Sequence, residues 1–163
     1  DLNFKLIRGN IDTRIKKLNE GLYDGIMLSY AGIKFLNFNK EVSEIFSIER
    51  FIPSAGQGVI ALQCRERDSE TISILNKINH KETYQRVLAE RNLLKVLEGD
   101  CATAVGAHAV IEKDKIILEA ELFSLDGKKN YYVKKSEKIE NAKKLGIEIG
   151  HKLKIESNNS YKK

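Results

Sequence analysis

Residues that cross-link or stiffen a chain are scarce here: 163 residues include one proline, two cysteines and no tryptophan. The two cysteines, Cys64 and Cys101, stand far apart with no CxxC spacing. That excludes a disulfide framework, a zinc ribbon and a dithiol motif, and makes a reducing compartment the default. No apolar run approaches the roughly 20 residues that cross a bilayer. With 42% hydrophobic and 31% charged residues, the composition is that of a soluble globular protein, not a membrane protein. Aromatics make up only 7% of the chain, and few of them stand among the lysines. The formal net charge of +5 lies largely in clusters such as Lys16 and Lys17, Lys128 and Lys129, Lys134 and Lys135, and Lys143 and Lys144. These read as solvated faces rather than a nucleic-acid surface, and leave room for a smaller anionic partner. His80, His108 and His151 show no metal-ligand spacing; no metal is expected, and each is expected at the surface. Internal repeats are lacking, and the one low-complexity stretch is the polar ending "SNNSYKK". The chain opens "DLNFKLIRGN", without an initiating Met, a signal peptide or a transit peptide. It is therefore expected to be the middle of a larger protein, with any targeting signal upstream.

What is present falls into three blocks. Residues 4–38 read strand, helix, strand, helix. "FKLI" is a short apolar run, and Ile11, Ile15, Leu18 and Leu22 then recur on one helical face. Asn10 or Asp12 can cap that helix and Gly21 can end it. "YDGIMLSYAGIKFL" supplies a buried strand, with Ala31 and Gly32 opening a further helical turn. Such alternation implies a parallel α/β layer, but this block is too short to bury a full sheet and is expected to be part of a domain. In "FIPSAGQGVIALQCRERD", Pro53, Gly56 and Gly58 break the chain around Gln57, and "VIALQC" follows as a strand crossing between domains.

From Asp68 onward the pattern is α+β. One helix, capped by Asp68 or Ser69, turns Ile72, Leu75 and Ile78 inward. A second carries Val87, Leu88, Leu94 and Leu97 and ends at Gly99, a residue free to adopt the left-handed conformation. Ile116, Leu118, Ala120 and Leu122 alternate with Ile117, Glu119, Glu121 and Phe123, a period of two with one apolar and one acidic face. Turns are expected near Lys113 and Asp114 and at Asp126 and Gly127. A last helix shows Ala142, Leu145, Ile149 and Leu153. The expected domains are 1–50, the second half of an α/β domain; 51–67, a crossover strand and hinge; and 68–163, a three-stranded antiparallel sheet with helices on one face.

Three stretches could carry chemistry. In "LIRGNIDTR", Arg8 ends a strand and Arg14 lies early in the next helix, near that helix's free N–H groups. Two guanidiniums there can grip carboxylate or phosphate in pairs, or simply be surface arginines. "SAGQGV" is glycine-rich but does not match a phosphate loop, because no lysine follows the second glycine. "LEGDCATAVG" sets Cys101 just beyond Gly99, between Asp100 and the small Ala102, Thr103 and Ala104. That thiol either fills a turn or is held out for covalent chemistry. Cys64, in an apolar strand, is expected to be a packed core thiol. Glu82, Glu90 and Glu98 read as solvated charges on basic helices.

Taken together, "RGNIDTR", "PSAGQGVIALQCR" and "LAERNLLKVLEGDCATAVGAHA" resemble the porphobilinogen deaminase (hydroxymethylbilane synthase) family in order and spacing. The resemblance covers nearly the whole chain. It implies the second half of the central domain, of periplasmic-binding-protein-like α/β fold, followed by the return segment and the C-terminal domain. It further implies that Cys101 carries a dipyrromethane cofactor through a thioether, a bond that a thiolate forms with an electrophilic pyrrole methylene and that survives later acid–base steps. Arg8 and Arg14 match the family's carboxylate-binding arginines, and Gln57, Gly58 and Ser54 its hinge and cofactor contacts. The family's catalytic aspartate would precede Asp1. One departure is Phe35 in "AGIKFL", where the family has an arginine; Lys34 is the expected substitute, though it lacks the planar fork.

The implied activity is head-to-tail condensation of four porphobilinogen units into a linear tetrapyrrole, with loss of ammonia. The partners would be porphobilinogen, the growing polypyrrole and the N-terminal half of the enzyme, with neither nucleic acid nor membrane involved. The resemblance leaves the compartment open between cytoplasm and plastid; heavy use of Lys, Asn and Ile points to an AT-rich genome, and family members of that kind include plastid-targeted ones. The alternative is a non-catalytic anion-binding module of solute-binding-protein type, which has no use for Cys101.

Overall fold

The structure, a computed structural model, describes residues 2–99 and 103–162. The chain divides into two compact units, Asp1–Phe46 and Ser47–Lys163.

The first unit is helical among its described residues. Helix α1 spans Ile11–Asn19 and buries Ile15; α2 spans Tyr30–Phe35 and buries Ile33; a 3-10 turn follows at Asn39–Glu41. Gly21, at φ 75°, takes the chain out of α1 as expected. The two expected strands are not laddered. Phe4 is 87% exposed, Leu6 77% and Met27 61%. A strand is completed only by a neighbour that takes its N–H and C=O groups, and no described residue of this unit supplies one.

The second unit holds the core. Strands β1 (Val105–Glu112), β2 (Lys115–Phe123) and β3 (Asn130–Lys138) form an antiparallel sheet in the order β1-β2-β3. Its hairpins turn at Lys113 (φ 57°) and around Gly127 (φ 68°), the two expected places. Ile116, Leu118, Ala120 and Leu122 all lie buried, as the period of two requires. They face α4 (Lys81–Leu97) and α5 (Ala142–Ser157), which contribute Ala89, Leu93, Leu97, Ala142, Leu145, Ile149 and Leu153 to one cluster.

The two helices are nearly in backbone contact. A Cβ on Gly146 would overlap the carbonyl oxygen of Ala89, and one on Gly150 would sit 2.7 Å from Val96 Cβ and 3.0 Å from Leu93 O. Glycine inside a helix costs about 1 kcal/mol against alanine, and here the close approach explains its use twice in α5.

Several expectations are corrected. Helix α3 (Ser69–Ile78) is capped by Asp68, whose Oδ1 accepts from the Thr71 N–H at 3.0 Å, but it buries none of its residues and Ile78 is 64% exposed. The left-handed residue ending α4 is Glu98, at φ 54°, one position before Gly99. "VIALQC" forms no ladder among the described residues; Ile60 is 90% exposed and Cys64 is half-buried rather than packed in the core. Within the polar ending, Ser157 and Tyr161 are buried.

Glu90 is the largest correction. Expected as a solvated charge, it is only 4% exposed. One carboxyl oxygen accepts from the Gly56 N–H at 2.7 Å and the other from the Ala109 N–H at 2.8 Å. The Ala107 N–H donates to the Pro53 carbonyl at 2.9 Å, and Arg86 Nε donates to the Ala109 carbonyl at 2.6 Å. Residues 53–56 are thus fastened along β1 and onto α4. The spacing that puts Glu90 on a basic helix also puts it one position from the buried Ala89, and the sequence alone does not tell which of the two faces inward.

Two outcomes follow for stability, read by urea denaturation. Gly146→Ala should destabilise the fold by about 1–3 kcal/mol through overpacking against α4. Glu90→Ala should cost on the order of 3 kcal/mol, because two buried N–H groups lose their acceptor. Glu90→Gln should recover part of that loss, since its amide keeps one acceptor but turns a donor toward the other N–H. A Glu90→Ala protein as stable as the parent would show that the bridge is dispensable.

Candidate functional site

In the first unit, Arg8 and Arg14 stand on either side of the start of α1, with Lys16 and Lys17 in its last turn. Arg8 is exposed, and its carbonyl accepts from Lys17 Nζ at 2.9 Å. Gly9 follows at φ 123°, a conformation open to glycine, and a Cβ there would meet Thr13 at 2.9 Å. Arg14 donates through Nε to the Gly9 carbonyl at 2.7 Å. This bond holds the turn and the guanidinium together, and leaves the two terminal nitrogens of Arg14 for an acceptor. The N-cap residue Asn10 makes no side-chain bond to the helix, so the first-turn N–H groups are not capped from within. A guanidinium with its terminal nitrogens left over, beside an open positive helix end and with exposed Arg8 two residues before the cap, suits a carboxylate or phosphate. Lys34 lies in the last turn of α2 and is exposed, next to Phe35 at 85% exposure.

In the second unit the informative feature is the turn at residues 54–58. Gly56 (φ 77°) and Gly58 (φ 71°) both occupy the left-handed region, where a glycine is needed. Ser54, Gln57 and Gly58 are exposed, while Ala55 packs on the core. The Gly56 N–H is the one that Glu90 holds. One side of the turn is therefore braced on α4 and the other presents a hydroxyl, an amide and bare backbone. A Cβ at Gly58 would meet nothing within 4 Å, so its backbone can be approached closely.

Cys101, with Asp100 and Ala102, lies outside the described residues. The path into it is described as far as Gly99, whose N–H donates to the Leu94 carbonyl at 3.1 Å. Two residues of this region escaped the sequence reading. Glu90 stands in "LAERN", within a stretch that resembles the family, yet only tertiary contacts reveal what its carboxyl meets. Tyr161 stands in the low-complexity ending, and its hydroxyl donates to the Leu97 carbonyl at 3.1 Å. A lone aromatic among Ser, Asn and Lys was the available signal.

His80 accepts at Nδ1 from the Thr83 N–H at 3.2 Å and so caps α4. Among the described residues no group of histidine, cysteine or acidic side chains could hold a metal ion, and no helix is long and apolar enough to cross a membrane.

Two family models match in succession. Residues 1–73 match "Porphobilinogen deaminase, dipyromethane cofactor binding domain", and residues 84–155 match "Porphobilinogen deaminase, C-terminal domain". The chain is 38% identical over 153 residues to the porphobilinogen deaminase of Desulforamulus reducens, covering 94% of this chain and 50% of that protein. With the Prochlorococcus marinus protein the identity is 37% over 155 residues, 95% of this chain and 49% of the relative. With that of Coxiella burnetii it is 38% over 149 residues, 91% and 48%. The chain spans about half the length of these curated relatives. The chain belongs to the porphobilinogen deaminase family, of which it represents the C-terminal part.

Proposed function

We propose that this chain is the cofactor-carrying part of a hydroxymethylbilane synthase. In this reading residues 1–50 complete a periplasmic-binding-protein-like α/β domain with strands from the rest of the enzyme. Residues 51–67 return the chain to the N-terminal domain, and 68–163 form the domain that holds the cofactor. One observation carries it: the turn exposing Ser54, Gln57 and Gly58 is braced on α4, the same helix whose end leads into Cys101. From Glu90 to Leu97 a helix rises about 10 Å, so hinge contacts and thiol would hang from one rigid rod.

The residues fit a dipyrromethane by their chemistry. Such a group carries an acetate and a propionate on each ring, and the start of α1 offers guanidiniums and uncapped N–H groups to anions. When bound, the group supplies the pyrrole carbon to which the first porphobilinogen unit is joined. Cys101 would hold it covalently: its sulfur bonds to the aminomethyl carbon of a porphobilinogen unit as that carbon releases ammonia. Arg8 and Arg14 bind ring carboxylates, Arg14 through the terminal nitrogens that its bond to Gly9 leaves over. Lys34 adds charge where Phe35 replaces the family's arginine. Gln57, Gly58 and Ser54 donate to the ring carboxylates or accept from the pyrrole N–H groups. The acid that assists departure of ammonia comes from the N-terminal part of the enzyme.

The decisive measurement for the cofactor is intact mass. The chain, produced together with the N-terminal half, should exceed its sequence mass by one dipyrromethane. Cys101→Ala should remove the excess and Cys64→Ala should retain it. An adduct on Cys64 would overturn the assignment.

Turnover tests the arginines. Residues 1–163 alone should make no tetrapyrrole, and addition of the N-terminal half should restore synthesis. In the combined enzyme Arg8→Leu should block chain growth while leaving the melting temperature nearly unchanged, because this exposed side chain supports no core. Arg8→Lys should rescue poorly, having charge without the fork. Full activity of the leucine variant would remove Arg8 from the site.

A further inference from the structure

The last residues of the chain converge on the end of α4. A helix leaves its final carbonyls without partners, and here two of them are met by side chains from far along the sequence. Tyr161, 4% exposed, donates its hydroxyl to the Leu97 carbonyl at 3.1 Å. Lys154 of α5 directs its ammonium to the Val96 carbonyl and to Glu98 Oε2, each at 3.4 Å. Lys162 donates to the same Glu98 oxygen. These two lysines hold the Glu98 carboxyl below the usual carboxylate range, Lys162 being the stronger cause. The segment is itself anchored to the sheet side: the Leu125 N–H donates to the Ser160 carbonyl at 2.8 Å. Between these groups Glu98 keeps a left-handed backbone at φ 54°, a conformation that a residue with a Cβ holds only where its surroundings fix it. A segment serving only to cover the core would bury the Tyr161 ring and leave its polar groups in water. Instead the hydroxyl and both ammonium groups end at one turn of one helix, the turn from which the chain enters residues 100–102.

We infer that Lys154, Tyr161 and Lys162 form a clamp on the end of α4 that sets the approach of the chain to Cys101. They are positioning residues, acting through Leu97 and Glu98. The functional consequence rests on the reading of Cys101 as the cofactor thiol; the clamp itself does not.

The test uses the chain combined with the N-terminal half, produced without porphobilinogen so that both thiols are free. Iodoacetamide alkylation is followed at Cys101 and Cys64 separately by peptide mass. In Tyr161→Phe and in Lys162→Ala, alkylation of Cys101 should accelerate about fivefold, the loss of one hydrogen bond, while Cys64 stays at the parent rate. High salt should reproduce the Lys162→Ala effect on the parent protein, because the Glu98 pair is exposed and screened. In the variants, salt should add nothing to Lys162→Ala but should accelerate Cys101 further in Tyr161→Phe, whose lost bond is between neutral groups. On later addition of porphobilinogen, both variants should load the adduct more slowly and reach the same final mass. Equal acceleration at both cysteines would mean general loosening and would overturn the clamp. An unchanged or slower rate at Cys101 would do the same. If the parent protein takes up no adduct, the cofactor reading fails, and the alkylation rates still decide the clamp.

Discussion

One buried carboxyl group organises the second unit. Glu90 places an oxygen on each of two backbone N–H groups, Gly56 in the turn and Ala109 in β1. An acidic side chain is rarely buried without such partners. The pairing therefore works both ways: the N–H groups make burial of Glu90 tolerable, and Glu90 gives them the acceptor that the sheet edge does not. Through it the only proline of the chain, two left-handed glycines and the exposed Gln57 are held in register with a helix and a strand formed from residues much later in sequence.

Helix α4 is the element on which these contacts meet. It packs along α5 at a distance that Gly146 and Gly150 make possible, gives Ala89, Leu93 and Leu97 to the core, and bonds through Arg86 to β1. Its far end is closed by Tyr161, Lys154 and Lys162. A helix fixed along its side and at its end transmits little play, which suits the proposed role of α4 in joining a hinge turn to the cofactor thiol.

The first unit is built differently. Ile15 and Ile33 are its only hydrophobic residues that are buried among those described, while Phe4, Leu6, Met27 and Phe35 stand in the open. The apolar runs "FKLI" and "GIMLS" have the composition of strands without the ladder of strands. Strand propensity is a statement about fitting a paired, half-buried surface, and pairing is supplied by neighbours rather than by the run itself. The same holds for "VIALQC" in the second unit, where Ile60 and Leu62 are exposed.

Elements whose pattern is local were legible without any coordinates. The alternation of β2, the spacing of Ala142, Leu145, Ile149 and Leu153, the Asp68 cap and the turns at Lys113 and Gly127 are each written within a dozen residues. Three motifs likewise sufficed for the family, because motif order is a property of the chain. What only the tertiary structure decided is where polar groups meet across long separations: Glu90 with Gly56, Tyr161 with Leu97, Lys162 with Glu98. The left-handed residue at the end of α4 belongs here too, since Gly99 is the better candidate by propensity and Glu98 takes the conformation with its carboxyl held by two lysines of the chain's last stretch. Side-chain type tells which group can donate or accept; only packing brings the partner, and burial then makes the bond obligatory.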